Sequence, residues 1–161
     1  MSKTVIASDF DGNPHKVEIS KLVWRPSAYG IIIKDNKILL LKQTNGYDLP
    51  GGGMNMGETP EEAVIREVKE ETGLAVKNPK LLAVGNSFYL AYGTTDKFRQ
   101  AIMLYYTCEY VGGELSTAGF DEAEQEYGVA PQWLPTEELN FIKIGSNADF
   151  RPFIKTILEK K

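Results

Sequence analysis

Apolar and polar positions along the chain fall into blocks separated by turn residues. Thr4 to Ala7 and Lys16 to Ile19 flank Asp11-Gly12-Asn13-Pro14, which predicts a hairpin that covers or extends a main sheet. Ala28 to Ile33 and Lys37 to Lys42 are apolar runs on either side of Lys34-Asp35-Asn36. They predict a second hairpin, leading into the glycine-rich bend Asp48-Leu49-Pro50-Gly51-Gly52-Gly53. The period then changes from two to that of a helix. Thr59 caps, Pro60 fills the first turn, Glu62 reaches back to complete a capping box, and Gly73 is the stop signal. At about 100° per residue, Ala63, Arg66, Glu67, Glu70 and Glu71 gather on one side of this helix, and Val64, Ile65, Val68 and Thr72 on the other. The apolar side docks on a sheet and the opposite side is a cluster of carboxylates.

Further along, Lys80 to Val84, Ser87 to Ala91 and Arg99 to Val111 read as strands, and Gly112-Gly113 ends the last of them. The segment from Gly119 to Gln132 is acidic and irregular, with Asp121, Glu122, Glu124 and Glu126 before Trp133-Leu134-Pro135. Thr136-Glu137-Glu138-Leu139 opens a short helix. Phe150, Phe153, Ile154, Ile157 and Leu158 recur at helical spacing, which predicts a last helix packed on the other face of the sheet.

Composition narrows the chemistry. A chain of 161 residues with 42% apolar residues supports one domain over residues 1–161, of which 1–25 form an amino-terminal hairpin extension. No apolar run approaches the ~18 residues that would span a bilayer, and the start MSKTVIASDFDGN has no basic stretch leading into an apolar core. The expectation is a soluble, cytoplasmic protein without a membrane partner. The net charge of −4 argues against a stable nucleic-acid partner, which needs a basic surface. Cys108 is the single cysteine and reads as a strand residue; His15 is the single histidine and reads as a turn residue. Mechanisms built on several cysteines or histidines are thereby removed, leaving carboxylates and a metal.

Three glutamates within about a turn repel one another, and a hard divalent cation, magnesium or manganese, relieves that repulsion. Magnesium reaches substrates through phosphate oxygens, so a phosphoanhydride substrate is implied. The segment Gly52 to Leu74, GGMNMGETPEEAVIREVKEETGL, also resembles the Nudix box. That pattern is met by Gly52, Glu58, Arg66, Glu67, Val68, Glu70, Glu71, Gly73 and Leu74, and no position departs from it. With seven fixed residue types at roughly 5 to 7% each, a chance match per window is on the order of one in a billion.

The resemblance implies an α/β (α+β) fold, an alpha/beta/alpha sandwich with a mixed central sheet. It also implies a pyrophosphohydrolase dependent on Mg2+ or Mn2+, in which water attacks one phosphorus of a nucleoside diphosphate linked to another group. Glu67, Glu70 and Glu71 would hold metal, with a carbonyl ligand from Gly51. Gly52, Glu58 and Gly73 would support the motif, and Arg66 would orient Glu67 through a bidentate ion pair. The general base is Glu67 or a loop carboxylate; Glu126 is the first choice for the latter and Glu124 the next. Lys42 and Arg99 are candidates for phosphate contact, and Tyr47, Phe88, Tyr89 and Tyr92 for stacking on a base.

Substrate classes rank with a nucleoside triphosphate or its damaged form first. ADP-ribose, a sugar nucleotide or a dinucleoside polyphosphate comes second. ADP-ribose hydrolases of the family often carry a proline where Tyr89 stands. A catalytically silent nucleotide-binding module is the reading from a different class. The edge of the amino-terminal hairpin offers a route to a homodimer.

Overall fold

The structure is a computed structural model and describes residues 2–120, 129–145 and 148–159. It is built around a strand whose two faces are both buried. Along Phe98–Gly112, Ala101, Met103 and Tyr105 point into one apolar cluster, and Tyr106 and Cys108 into another. A strand covered on both faces lies inside a three-layer arrangement, which calls for a helix on each side.

In chain order the strands are β1 (Thr4–Ser8), β2 (Pro14–Glu18), β3 (Val23–Ile31), β4 (Ile33–Lys34), β5 (Lys37–Gln43), β6 (Gly46–Asp48) and β7 (Gly51–Gly53). Helix α1 (Pro60–Thr72) follows, then β8 (Ala75–Leu90), β9 (Phe98–Gly112), β10 (Ala130–Pro135) and helix α2 (Arg151–Leu158). A six-stranded sheet runs β2-β1-β8-β9-β3-β7, and a second sheet runs β10-β5-β4 with β6 paired to β5. Both parallel and antiparallel pairs occur, so the main sheet is mixed as expected.

Helix α1 covers one face: Ala63, Val64 and Val68 pack with Ala28, Ile32, Leu39 and Tyr106. On the other face Phe150 and Ile154 of the last helix pack with Ile31, Ile38, Leu40, Leu49 and Tyr105. Both helix predictions hold. The capping box is present, with the Glu62 amide donating to Thr59 Oγ1 at 3.2 Å and the Thr59 amide to Glu62 Oε2 at 2.8 Å. Gly73 stops the helix in the left-handed region at φ 74°. The amphipathic division differs at two positions: Ala63 is buried, and Ile65, expected on the docking side, is 38% exposed.

Two strand expectations are corrected. Ala28 to Ile33 and Lys37 to Lys42 do not form one long hairpin. Asp35 and Asn36 adopt positive φ, as a tight turn requires, but they join only β4 to β5. The chain bends at Ile32, and β3 instead lies parallel to β9 from Val23↔Arg99 to Ile31↔Thr107. Burial of apolar side chains on both sides of β3 favours this longer pairing over the local one. The blocks read as two strands around Gly85-Asn86 are one strand, β8. Gly85 is accommodated there because a Cβ would lie 3.1 Å from the ring of Tyr105. The predicted amino-terminal hairpin is present and extends the main sheet, with β1 joined to β8 at Ser8↔Tyr89. Among the described residues no helix is long and apolar enough to cross a membrane.

Ile154 is fully buried, so Ile154→Ala should lower unfolding free energy by about 3 kcal/mol, whereas Ile65→Ala should cost less than about 1. Urea unfolding with unchanged slope checks both; equal losses would contradict the assignment of faces.

Candidate active site

Residues 66, 67, 70 and 71 occupy adjoining positions on α1, and the glycine bend is brought against them by strand pairing. β7 lies antiparallel to β3 through Ser27↔Gly53, Ala28↔Gly52 and Tyr29↔Gly51. Helix α1 packs on β3 at Gly30, where a Cβ would lie 2.8 Å from Val68 Cγ2. A Cβ on Gly51 would fall 2.3 Å from the Ala28 carbonyl oxygen, and one on Gly52 would fall 2.9 Å from Glu67 Oε1. Glycine is therefore required at 51, where the obstacle is the β3 backbone, whereas a side chain at 52 would have to displace the Glu67 carboxylate.

The Gly51 amide donates to Glu71 Oε2 at 2.6 Å, a short charge-assisted bond that fixes the most buried of the three carboxylates. Arg66 governs the other two. Its Nη1 donates to Glu67 Oε1 and to Glu70 Oε2, each at 2.9 Å. The bidentate pairing expected with Glu67 is made with Glu58 instead. Arg66 Nε reaches Glu58 Oε1 at 2.6 Å and Nη2 reaches Glu58 Oε2 at 3.0 Å. The reason is geometric: neighbours on a helix diverge by about 100°, whereas Glu58 precedes the helix and stands opposite the planar fork. The Asn55 amide adds a bond to Glu58 Oε2 at 2.8 Å. Arg66 and then this amide hold the Glu58 carboxyl at about 2, down from an ordinary 4.5.

Arg66, Glu67, Glu70, Glu71 and the glycine bend line a cleft of about 410 Å³ that also includes Met54, Asn55 and Gly119. Gly119 closes over the helix end, where a Cβ would meet the Glu70 carbonyl oxygen at 2.3 Å. Among the described residues, no three Asp, Glu, His or Cys side chains already converge as an ion site. Glu67 and Glu70 are drawn to Arg66, and Glu71 to the Gly51 amide. The donor set is nonetheless entirely hard oxygen, in a cleft with little apolar lining, and fits magnesium or manganese rather than a softer metal. The contact made by Gly51 is through its amide.

A second cavity of about 270 Å³ adjoins the first through Arg25, Gly51 and Gly52, which line both. Its floor is the sheet surface at Ser87, Ala101 and Met103, and its sides include Tyr29, Gln43, Asp48, Tyr89 and Tyr92. Burial raises the pKa of Tyr29 and Tyr89, so both phenols remain neutral donors, while the nearby Arg25 pulls the other way. Among the described residues Arg25 makes no ion pair.

Lys42, Tyr47 and Arg99 line neither cavity. Lys42 is exposed on β5, Tyr47 packs against the core around α2, and Arg99 sits on β9 opposite Tyr89. Phe88 also stays outside, whereas Tyr89 and Tyr92 enter. Arg25 is the cation that sequence reading missed; the one available signal was its alternation with Ser27 and Tyr29 on one face of β3. Glu124 and Glu126 lie outside the described residues. Cys108 is buried and its thiol is pushed up to about 12, consistent with a packing role. His15, expected in the turn, lies instead on β2 opposite Ala7, with its Nε2 3.0 Å from Asp9 Oδ2.

The NUDIX domain family matches residues 24–157. The chain belongs to that family. It is 46% identical over 103 residues to an ADP-ribose pyrophosphatase of Methanocaldococcus jannaschii, an alignment covering 61% of this chain and 57% of the relative. A MutT-like protein of Streptomyces ambofaciens is 32% identical over 117 residues, covering 71% and 66% respectively. The chain thus spans less than two thirds of the length of either relative. A NUDIX hydrolase from Nitrosomonas europaea shares the fold with a TM-score of 0.67 at 18% identity, over 86% of this chain and 91% of that one.

Because the Glu58 carboxyl is held near 2, its contribution to stability is complete above about pH 4.5 and is lost as pH falls from there toward 2. Glu58→Gln should be less stable at neutral pH and show a shallower decline over that window. Urea midpoints measured in pH steps check this; parallel curves for the two proteins would show that the Arg66 fork does not couple to folding.

Proposed function

We propose that the chain is a divalent-metal-dependent hydrolase of a nucleoside diphosphate linked to a further group. The observation that carries this reading is the acidic cleft, with a glycine bend along one wall, opening directly into an aromatic-lined cavity. The cleft suits a metal-bound diphosphate and the cavity suits what the diphosphate carries.

Bound in the cleft, magnesium or manganese would neutralise phosphate oxygens, lower the pKa of water and stabilise the leaving phosphate. The chain supplies the arrangement. Glu67, Glu70, Glu71 and the Gly51 carbonyl are the oxygen ligands, with Glu71 held in place by the Gly51 amide. Arg66, locked in its fork on Glu58, sets the positions of the Glu67 and Glu70 oxygens. Glu67 and Glu126 compete for the role of general base. Arg25, at the seam between the cavities, is the phosphate-binding cation in place of Lys42 or Arg99.

The 46% identical relative named ADP-ribose pyrophosphatase moves ADP-ribose ahead of nucleoside triphosphates as the substrate to test first. Triphosphates remain the second reading, favoured by the MutT-like relative. A small nucleotide is the partner in either case, and the protein works in the cytoplasm.

Incubation with Mg2+ and a panel of ADP-ribose, sugar nucleotides, dinucleoside polyphosphates and ordinary and oxidised triphosphates tests this. Release of AMP and ribose 5-phosphate from ADP-ribose supports the first reading, and pyrophosphate from a triphosphate supports the second. No cleavage with Mg2+ or Mn2+ would overturn both in favour of a silent nucleotide-binding module. Glu71→Gln keeps an oxygen for the Gly51 amide but loses the charge, so turnover should fall more than about 100-fold while the melting midpoint stays put. Retained turnover would remove Glu71 from the site.

A further inference from the structure

The cavity beside Arg25 is completed by a segment that precedes the family-matched span of residues 24–157. Phe10, at the tip of the hairpin between β1 and β2, lines it. The tip is a built turn. Asp9 accepts from the Asp11 amide at 3.0 Å, the Asn13 amide at 2.8 Å and the Asn13 side chain at 3.1 Å, and pairs with His15 Nε2 at 3.0 Å.

The tip is also tied down across the cavity. Asn45 Nδ2 donates to the Phe10 carbonyl at 3.1 Å and to the Gly145 carbonyl at 3.0 Å, joining three segments far apart in the chain. Two carbonyl acceptors fix the orientation of that amide. Its Oδ1 is left buried with no hydrogen-bond partner among the described residues, a penalty tolerated to keep the segments together. Held in this way, the Phe10 ring meets Tyr92 edge to face, with centroids 5.2 Å apart at 75°.

We propose that the hairpin tip is a specificity wall of the substrate site, with the touching rings of Phe10 and Tyr92 forming one aromatic face against which a nucleobase packs. The proposal rests on the hydrolase reading above only in placing a phosphate beside Arg25. A planar aromatic ring is the chemistry that fits. The rings of Phe10, Tyr29, Tyr89 and Tyr92 line a cavity floored by small or apolar side chains, and every base has a face to stack. Gln43, with both a donor and an acceptor, lines the same cavity and can meet the edge of a base. Arg25, reaching the acidic cleft as well, sets the phosphate next to the ring it carries.

Calorimetric titration in magnesium buffer with AMP and with ribose 5-phosphate tests the wall, since the second ligand keeps the phosphate and sugar but lacks the base. Phe10→Ala should bind AMP about tenfold more weakly or worse, with ribose 5-phosphate unchanged, and Phe10→Tyr should restore AMP binding. Tyr92→Ala, which removes the ring that Phe10 meets edge to face, should give the same selective loss. Unchanged AMP affinity in both alanine variants would overturn the proposal. Equal losses for the two ligands would do the same, because they describe a merely structural hairpin, as would wild-type binding of AMP no tighter than of ribose 5-phosphate. The readout needs no turnover. A protein that binds AMP through Phe10 yet cleaves nothing keeps the wall and loses the hydrolase reading; one that cleaves nucleotides with AMP binding indifferent to Phe10 does the reverse.

Discussion

The close passage of the glycine bend between β3 and α1 is the constraint on which the site depends. A single added carbon at Gly51 would run into the backbone of β3, and one at Gly52 into the Glu67 carboxylate. Only a residue without a side chain at 51 can pass this close to β3 and place its amide 2.6 Å from Glu71. That bond in turn gives a mostly buried carboxylate a backbone donor. Helix, bend and carboxylate are thus one unit: loosening the bend would remove the short bond between the Gly51 amide and Glu71.

Arg66 solves the complementary problem on the same helix. Glu67 and Glu70 lie within contact distance of one another, and like charges at that spacing destabilise a helix. The guanidinium compensates both through Nη1, while Nε and Nη2 bind Glu58 and Nη2 also donates to the Gly53 carbonyl at 3.2 Å. An arginine anchored on a carboxylate outside the cluster cannot swing fully over the cluster. It therefore balances the charge without filling the cleft, while Glu71 accepts from the Gly51 amide. A lysine, lacking the planar fork, could not divide its donors among three carboxylates in this fixed geometry.

Much of this was legible because it is local. The capping box, the Gly73 stop, the carboxylate spacing and the periodicity of Phe150 to Leu158 are written within a few residues of where they act. What was misread depends on pairing between distant strands. Residues 28–33 carry the same apolar signal whether they pair with β5 or with β9, and the outcome is decided by burial across the sheet. Arg25 gained its place from the register that sets it beside Ala101 on β9 and from the approach of Gly53, neither of which local pattern encodes. Lys42 and Tyr47 were chosen for nearness along the chain to the bend, yet Lys42 faces away and Tyr47 is taken up by core packing. Arg66 was recognised, but sequence adjacency suggested Glu67 as its fork partner when the helix geometry favours Glu58.

The same contrast separates chemistry from selectivity in the molecule itself. The groups of the acidic cleft come largely from one continuous segment whose members constrain each other at the level of single atoms, so few of them can change independently. The adjoining cavity is assembled from positions as far apart as 10, 25, 45, 92 and 145. Tyr92 is half exposed and Phe10 only partly buried, so side chains there can change at small cost to the core. A fold arranged in this way can be given a new ligand by altering loop tips while the cleft stays as it is. Arg25 stands at the boundary, tied by strand register to the rigid part and facing the adaptable one. Its position, more than that of any residue in the helix, fixes how the cleft meets the cavity, since it lines both.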